Sequence, residues 1–130
     1  MRKLIFFLVL QTILLSSCAP RVRSDTVVPA IELTKCTLSS PGVPHQVIAK
    51  CGTLAVLEDR SNPQSRMINL NIAVVPAIRR SAEADPLFVL AGGPGQSIVE
   101  TFPAMYASLF RVHEKRDIVL VDQRGTGKSN

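Results

Sequence analysis

Leu87-Phe88-Val89-Leu90-Ala91-Gly92-Gly93-Pro94-Gly95-Gln96-Ser97 and Ile118-Val119-Leu120-Val121-Asp122-Gln123-Arg124-Gly125-Thr126-Gly127-Lys128-Ser129 are the two stretches on which the fold turns. Each opens as a continuous apolar run, the pattern of a strand covered on both faces in a parallel sheet. Each run then breaks into a glycine-rich turn. The segment between them, Gly92 to Asp117, is long enough for a right-handed crossover containing a helix. Met105, Leu109 and Val112 fall at spacings of four and three, which predicts a helix within Phe102–His113. Pro103 is acceptable in a first turn, where its missing N–H has no partner to lose. Ser97 and Glu100 have capping-box spacing, but Pro103 restricts a helix starting there to a short or kinked one.

Upstream, Gly52–Leu57 reads as a short strand stopped by Glu58-Asp59-Arg60-Ser61-Asn62-Pro63. Met67–Val75 alternates Ile68, Leu70, Ile72 and Val74 against Asn69, Asn71 and Ala73, so one face is greasier. The two runs predict an antiparallel hairpin with a long loop, ended by Pro76, which cannot donate to a ladder. Hairpin, strand, helix, strand is the opening of an α/β domain. Ile118–Val121 calls for a further segment returning across the sheet, so the expectation is the N-terminal portion of a longer protein.

The turn Gly92-Gly93-Pro94-Gly95 combines backbone freedom at glycine with a fixed φ at proline. Successive N–H groups in such a turn form an anion-binding concavity, suited to a phosphate or to the oxyanion of acyl transfer. A tight turn with no ligand remains the alternative. Gly127-Lys128-Ser129 invites a nucleotide-loop reading, but G-x-x-x-x-G-K-[ST] needs glycine where Asp122 stands. The dinucleotide spacing G-x-G-x-x-G fails as well.

At the other end, Met1-Arg2-Lys3 precedes an apolar block from Leu4 to Leu15. As a helix it spans about 18 Å against a hydrocarbon core of about 30 Å, so it reads as a secretory signal. Leu15-Ser16-Ser17-Cys18 resembles the bacterial lipoprotein box. That resemblance implies a signal over residues 1–17, a lipid-bearing Cys18, an exposed tether over 18–32 and a domain over 33–130. It places the chain in the bacterial cell envelope, facing the extracytoplasmic side, with the bilayer as a partner through Cys18. Ordinary secretion is the alternative. Cys36 and Cys51 are then an even pair in an oxidising compartment and predict a disulfide, with two isolated thiols as the other reading. A zinc site lacks ligands, since His45 alone lies nearby.

Fifteen Lys/Arg against ten Asp/Glu give +5, and two of those positives are Arg2 and Lys3 of the leader. So small a scattered excess, with no tryptophan and few aromatics, argues against a nucleic-acid partner.

Taken in order, Gly92-Gly93-Pro94-Gly95 and Asp122-Gln123-Arg124-Gly125-x-Gly127-x-Ser129 resemble the proline iminopeptidase and tripeptidyl aminopeptidase-like branch of the α/β-hydrolases. The resemblance covers roughly residues 33 to 130. It implies a serine hydrolase, an exopeptidase taking short peptides, with no cofactor, to which the lipoprotein-box resemblance adds a lipid anchor. Gly92, Gly93, Pro94 and Gly95 would form the oxyanion-hole loop, with the Gly93 N–H as donor. Asp122, Gln123, Arg124, Gly125 and Gly127 would order the neighbouring loop, Arg124 by pairing with a carboxylate or carbonyls. Many members carry histidine where this sequence has Ala91. An esterase or lipase-like hydrolase, or a non-catalytic lipoprotein, would share the same elements.

No G-x-S-x-G elbow occurs between Met1 and Asn130, and Gly95-Gln96-Ser97-Ile98-Val99 fails the pattern. The nucleophile and its partners are therefore expected beyond Asn130, and His45 and His113 are assigned no catalytic part. Residues 1–130 alone are expected to be inactive.

Overall fold

The computed structural model describes residues 31–130. The signal over 1–17, most of the tether and Cys18 lie outside the described residues. Five strands and one helix follow: β1 (Thr34–Leu38), β2 (Val47–Leu57), β3 (Met67–Val75), β4 (Leu87–Val89), α1 (Ile98–His113) and β5 (Ile118–Val121). They form one open mixed sheet in the order β1-β2-β3-β5-β4. The first three junctions are antiparallel; β4 and β5 pair in parallel, with Phe88 beside Val119.

The expected hairpin is present as β2–β3, where Leu54 faces Leu70 and Leu57 faces Met67. The second strand and β5 have the expected bounds, whereas β2 begins earlier, at Val47. Strand β1 was not foreseen. Its five residues are mostly exposed and carry no apolar alternation, so nothing local marks them as a strand. The cysteine pair holds it: Cys36 and Cys51 form a disulfide with Cα atoms 5.8 Å apart, diagonally placed in the β1–β2 register.

That bond confirms the predicted pairing and corrects the predicted membrane partner. Both described cysteines are consumed in it, so neither presents a free thiol to a lipid, and Cys18 falls outside the described chain. The disulfide-paired cysteines argue against a bilayer partner and against a lipid-anchored envelope location.

Helix α1 also departs from expectation. It starts at Ile98 rather than near Phe102 and runs through Pro103. Three contacts anchor the helix at and before the proline. Ser97 caps the helix, its Oγ accepting from the Glu100 N–H at 3.1 Å. Pro103 is itself buried, and its carbonyl accepts from His45 Nε2 at 2.7 Å. Ser40 Oγ adds a hydrogen bond to the Glu100 carbonyl.

The helix packs on a core of Leu38, Val47, Ala73, Val75, Ile118 and Leu120, with Phe102 fully buried at the contact. Strand residues two apart share a face, so α1 covers the side of β3 carrying Asn71, Ala73 and Val75. The greasier set, Ile68 and Ile72 among it, points the other way. There residues 31–33 cross the sheet: a Cβ on Gly52 would meet the Glu32 carbonyl at 2.5 Å and Leu33 Cδ2 at 2.9 Å. Beyond that crossing the face opens, and Phe88 is 62% exposed. The two-sided cover expected from the apolar runs is thus one-sided among the described residues.

Candidate functional site

Everything that the two glycine-rich stretches bring together meets at Asp122. Strand β5 ends at Val121, and the next side chain turns inward, leaving Asp122 only 1% exposed. A carboxylate removed from water needs donors, and three reach it. Oδ1 accepts from the Ser97 hydroxyl at 2.8 Å and the Val99 N–H at 3.1 Å; Oδ2 accepts from Asn71 Nδ2 at 2.8 Å. Two of those donors sit at the start of α1, where a negative charge also meets the positive end of the helix dipole. Asp122 thereby fastens the end of β5 to the first turn of α1.

The loop after β5 is folded back on itself. Thr126 donates through N–H and hydroxyl to the Gln123 carbonyl, and the Ser129 N–H donates to Thr126 O. Ser129 Oγ donates to the Asp122 carbonyl at 2.9 Å and accepts from the Asn71 N–H at 2.7 Å. Gly125 and Gly127 have φ of 69° and 53°. At Gly127 space is a second constraint. A Cβ there would lie 2.4 Å from Asp122 Oδ2 and 2.7 Å from Ser97 Oγ, so the glycine lets the loop close over the carboxylate.

Gln123 and Arg124 point outward. Arg124 Nη1 donates to the Glu58 carbonyl at 2.6 Å, tying this loop to the end of β2. Arg124 itself is exposed. The Glu58 carboxylate itself is engaged by Arg66, which holds it below its ordinary pKa, with Arg124 a lesser contributor.

The other stretch forms the turn Gly92–Gly95 between β4 and the Ser97 cap. Strand β4 stops at Val89, two residues short of the expected Ala91. The Gly93–Pro94 peptide is cis, and Gly93 and Gly95 have φ of 152° and 81°, values that favour glycine. The N–H groups of Gly92, Gly93, Gly95 and Gln96 donate to no acceptor among the described residues. All four residues are exposed, whereas Ser97, the next in line, is buried. Among the described residues the turn is therefore a row of exposed donors without protein acceptors, mounted on a fixed post.

Ser97 and Asn71 make this arrangement and were not assigned a site role from sequence. Ser97 carried a signal, its capping-box spacing with Glu100. Asn71 carried a weak one, a polar residue on the strand face that α1 covers. The histidines lie apart from the turn. His113, buried at the end of α1, donates from Nε2 to the Pro76 carbonyl at 2.8 Å. Its Nδ1 shares a hydrogen bond with the Tyr106 hydroxyl, also at 2.8 Å, and burial pushes that phenol above its ordinary pKa. A cavity of about 430 Å³ opens beside them, lined by Gln46, Val47, Ile48, Pro76, Tyr106 and His113. It belongs to the C-terminal half of α1, away from the glycine turn. Among the described residues no group of three or more His, Cys, Asp or Glu side chains is placed to hold a metal.

No protein-family model matches the chain. It is similar to proteins named Serine protease Hip1 from Mycobacterium bovis and from two strains of Mycobacterium tuberculosis, at 36% identity over 103 residues. The match takes in 76% of this chain and 19% of each relative, so the chain spans about a fifth of their length. Joined to an open mixed sheet with one helix among the described residues, that similarity supports a serine-hydrolase-like relationship.

Proposed function

We propose that this chain contributes the oxyanion-binding part of a serine peptidase that removes residues from short peptides. The observation that carries the reading is the Gly92–Gly95 turn, whose N–H groups donate to no acceptor among the described residues while the cap behind it is fixed by Asp122. In this role the Gly93 N–H donates to the carbonyl oxygen of the scissile bond as negative charge gathers on it. The attacking serine, its histidine and its acidic partner belong to chain beyond Asn130. The serine oxygen bonds to the carbonyl carbon, its proton passes to histidine and then to the departing amine, and the C–N bond breaks. Water releases the acyl group by the same steps. Asp122, Gly125 and Gly127 order the loop beneath the turn, and Arg124 ties it to β2.

The test is turnover by the full-length protein of aminoacyl- and short peptidyl-chromogenic substrates, with free and blocked N-termini, alongside simple esters. Cleavage that needs a free N-terminus and is abolished by an active-serine phosphonylating reagent is the expected result. Ester cleavage alone replaces the peptidase assignment with an esterase one. Failure of the reagent to label any serine overturns the hydrolase reading.

A further inference from the structure

We infer that Asn71 is a positioning residue for the glycine turn, setting through Asp122 the aim of donors it never touches; this rests on the hydrolase reading. A carboxylate held by one oxygen can swing about its Cβ–Cγ bond. Asp122 uses Oδ1 for the start of α1, and Asn71 Nδ2 pins Oδ2 from the opposite side, 51 positions away in sequence. Asn71 is itself immobilised on both sides of its peptide. Its N–H donates to Ser129 Oγ, and its carbonyl accepts from the Asp122 N–H. No side-chain bulk substitutes for this hold at Gly127, whose missing Cβ leaves Oδ2 room.

The consequence reaches the turn by a short path. Ser97 is two residues from Gly95, and its hydroxyl is spent between Asp122 and the Glu100 N–H. If the carboxylate rotates, the cap shifts, and the N–H groups before it shift with the cap. Because oxyanion donors act on charge present in the transition state, misplacing them lowers kcat more than it raises KM. Asparagine suits the role because its NH₂ donates without adding charge. The charged groups around it are Asp122 from the end of β5, Glu100 from α1 and Lys128 from the loop after β5; the last two line a small cleft with Asn71.

The experiment uses the full-length protein and compares wild type with Asn71→Ala and Asn71→Asp. For Asn71→Ala the expected result is a fall in kcat of about tenfold or more with KM changed less than about twofold. Asn71→Asp is expected to recover relative to wild type as pH falls. A protonated Asp side chain donates to Asp122, while an ionised one repels it. Thermal melting at each pH keeps folding separate from turnover, and the pH-dependent ratio comes from one folded variant. An unchanged kcat in Asn71→Ala, or a ratio of Asn71→Asp to wild type that is flat with pH, overturns the role of Asn71 alone. Absence of wild-type turnover and of serine labelling overturns the hydrolase reading, and this inference with it.

Discussion

Two regions of the sheet, its β1–β2 edge and the C-terminal end of the inner strand β5, are held by opposite means. At the β1–β2 edge a covalent bond joins Cys36 to Cys51, and the strand it secures is mostly exposed. At the β5–α1 end no covalent link exists among the described residues. A buried carboxylate gathers donors from β3, from the Ser97 cap and from the first turn of α1. A disulfide acts mainly by restricting the unfolded chain, and it tolerates solvent on every side. A buried carboxylate acts in the folded state alone and depends on each donor being in place, since an unmatched polar group costs about 1–3 kcal/mol. The difference suits their positions. One end needs an edge strand kept from detaching; the other needs a turn kept in one orientation.

The largest expected effect comes from cutting the noncovalent end. Asp122→Ala leaves the Ser97 hydroxyl, the Val99 N–H and the Asn71 amide without their acceptor. The expected loss is about 3 kcal/mol or more, read by denaturant unfolding of the full-length protein. Asp122→Asn should cost less, about 1 kcal/mol, because Asn71 can turn its amide oxygen toward the new NH₂. Equal losses in the two variants would show that refilling the space with a neutral amide recovers nothing, so that the carboxylate's charge and not a swapped hydrogen-bond pattern holds the site. Next in size is the covalent end. Cys36→Ser with Cys51→Ser should lower stability by roughly 3 kcal/mol or less, through the unfolded state. If the two ends do separate tasks, kcat for the remaining folded protein stays within about twofold. A collapse of kcat in the folded double variant would break the comparison, showing that β1 and its loop also orient α1.

Each end was legible in the sequence to the extent that its signals were local. The disulfide could be read because the sequence pairs Cys36 with Cys51 as an even set once a secretory signal is expected ahead of them. The hairpin β2–β3 could be read because alternation over Met67–Val75 is a period-two signal that needs no partner to be seen. Strand β1 could not, because its identity as a strand lies in its pairing with β2. The start of α1 was misjudged for a related reason. Pro103 is a local argument against a long helix, while the arguments for it are distant: Asp122 at the cap, His45 and Ser40 on the carbonyls. Asn71 was read as a polar position on the less greasy face. Its function depends on a carboxylate 51 positions on, and strand register is what delivers the two to one place.

The smallest expected effect sharpens the contrast between a buried carboxylate and an exposed one. Glu58, at the end of β2, also has more than one partner: Arg66 holds its carboxylate, and Arg124 donates to its backbone carbonyl. Both groups of the Glu58–Arg66 pair are largely solvent-exposed, at 44% and 75% of the side chain, so water competes with the pair and salt screens it. Arg66 first, and Arg124 after it, hold the Glu58 carboxyl below its ordinary pKa. The sign follows from linkage. A carboxylate depressed on folding stabilises fully above its unfolded pKa and loses that contribution as pH falls through the folded value. Glu58→Gln should therefore leave stability nearly unchanged at neutral pH in moderate salt, and the small difference from wild type should vanish in acid. The Arg124 contact, made to a backbone oxygen, should persist in that variant. A large neutral-pH loss for Glu58→Gln, on the scale of Asp122→Ala, would mean that burial is not what separates the two carboxylates.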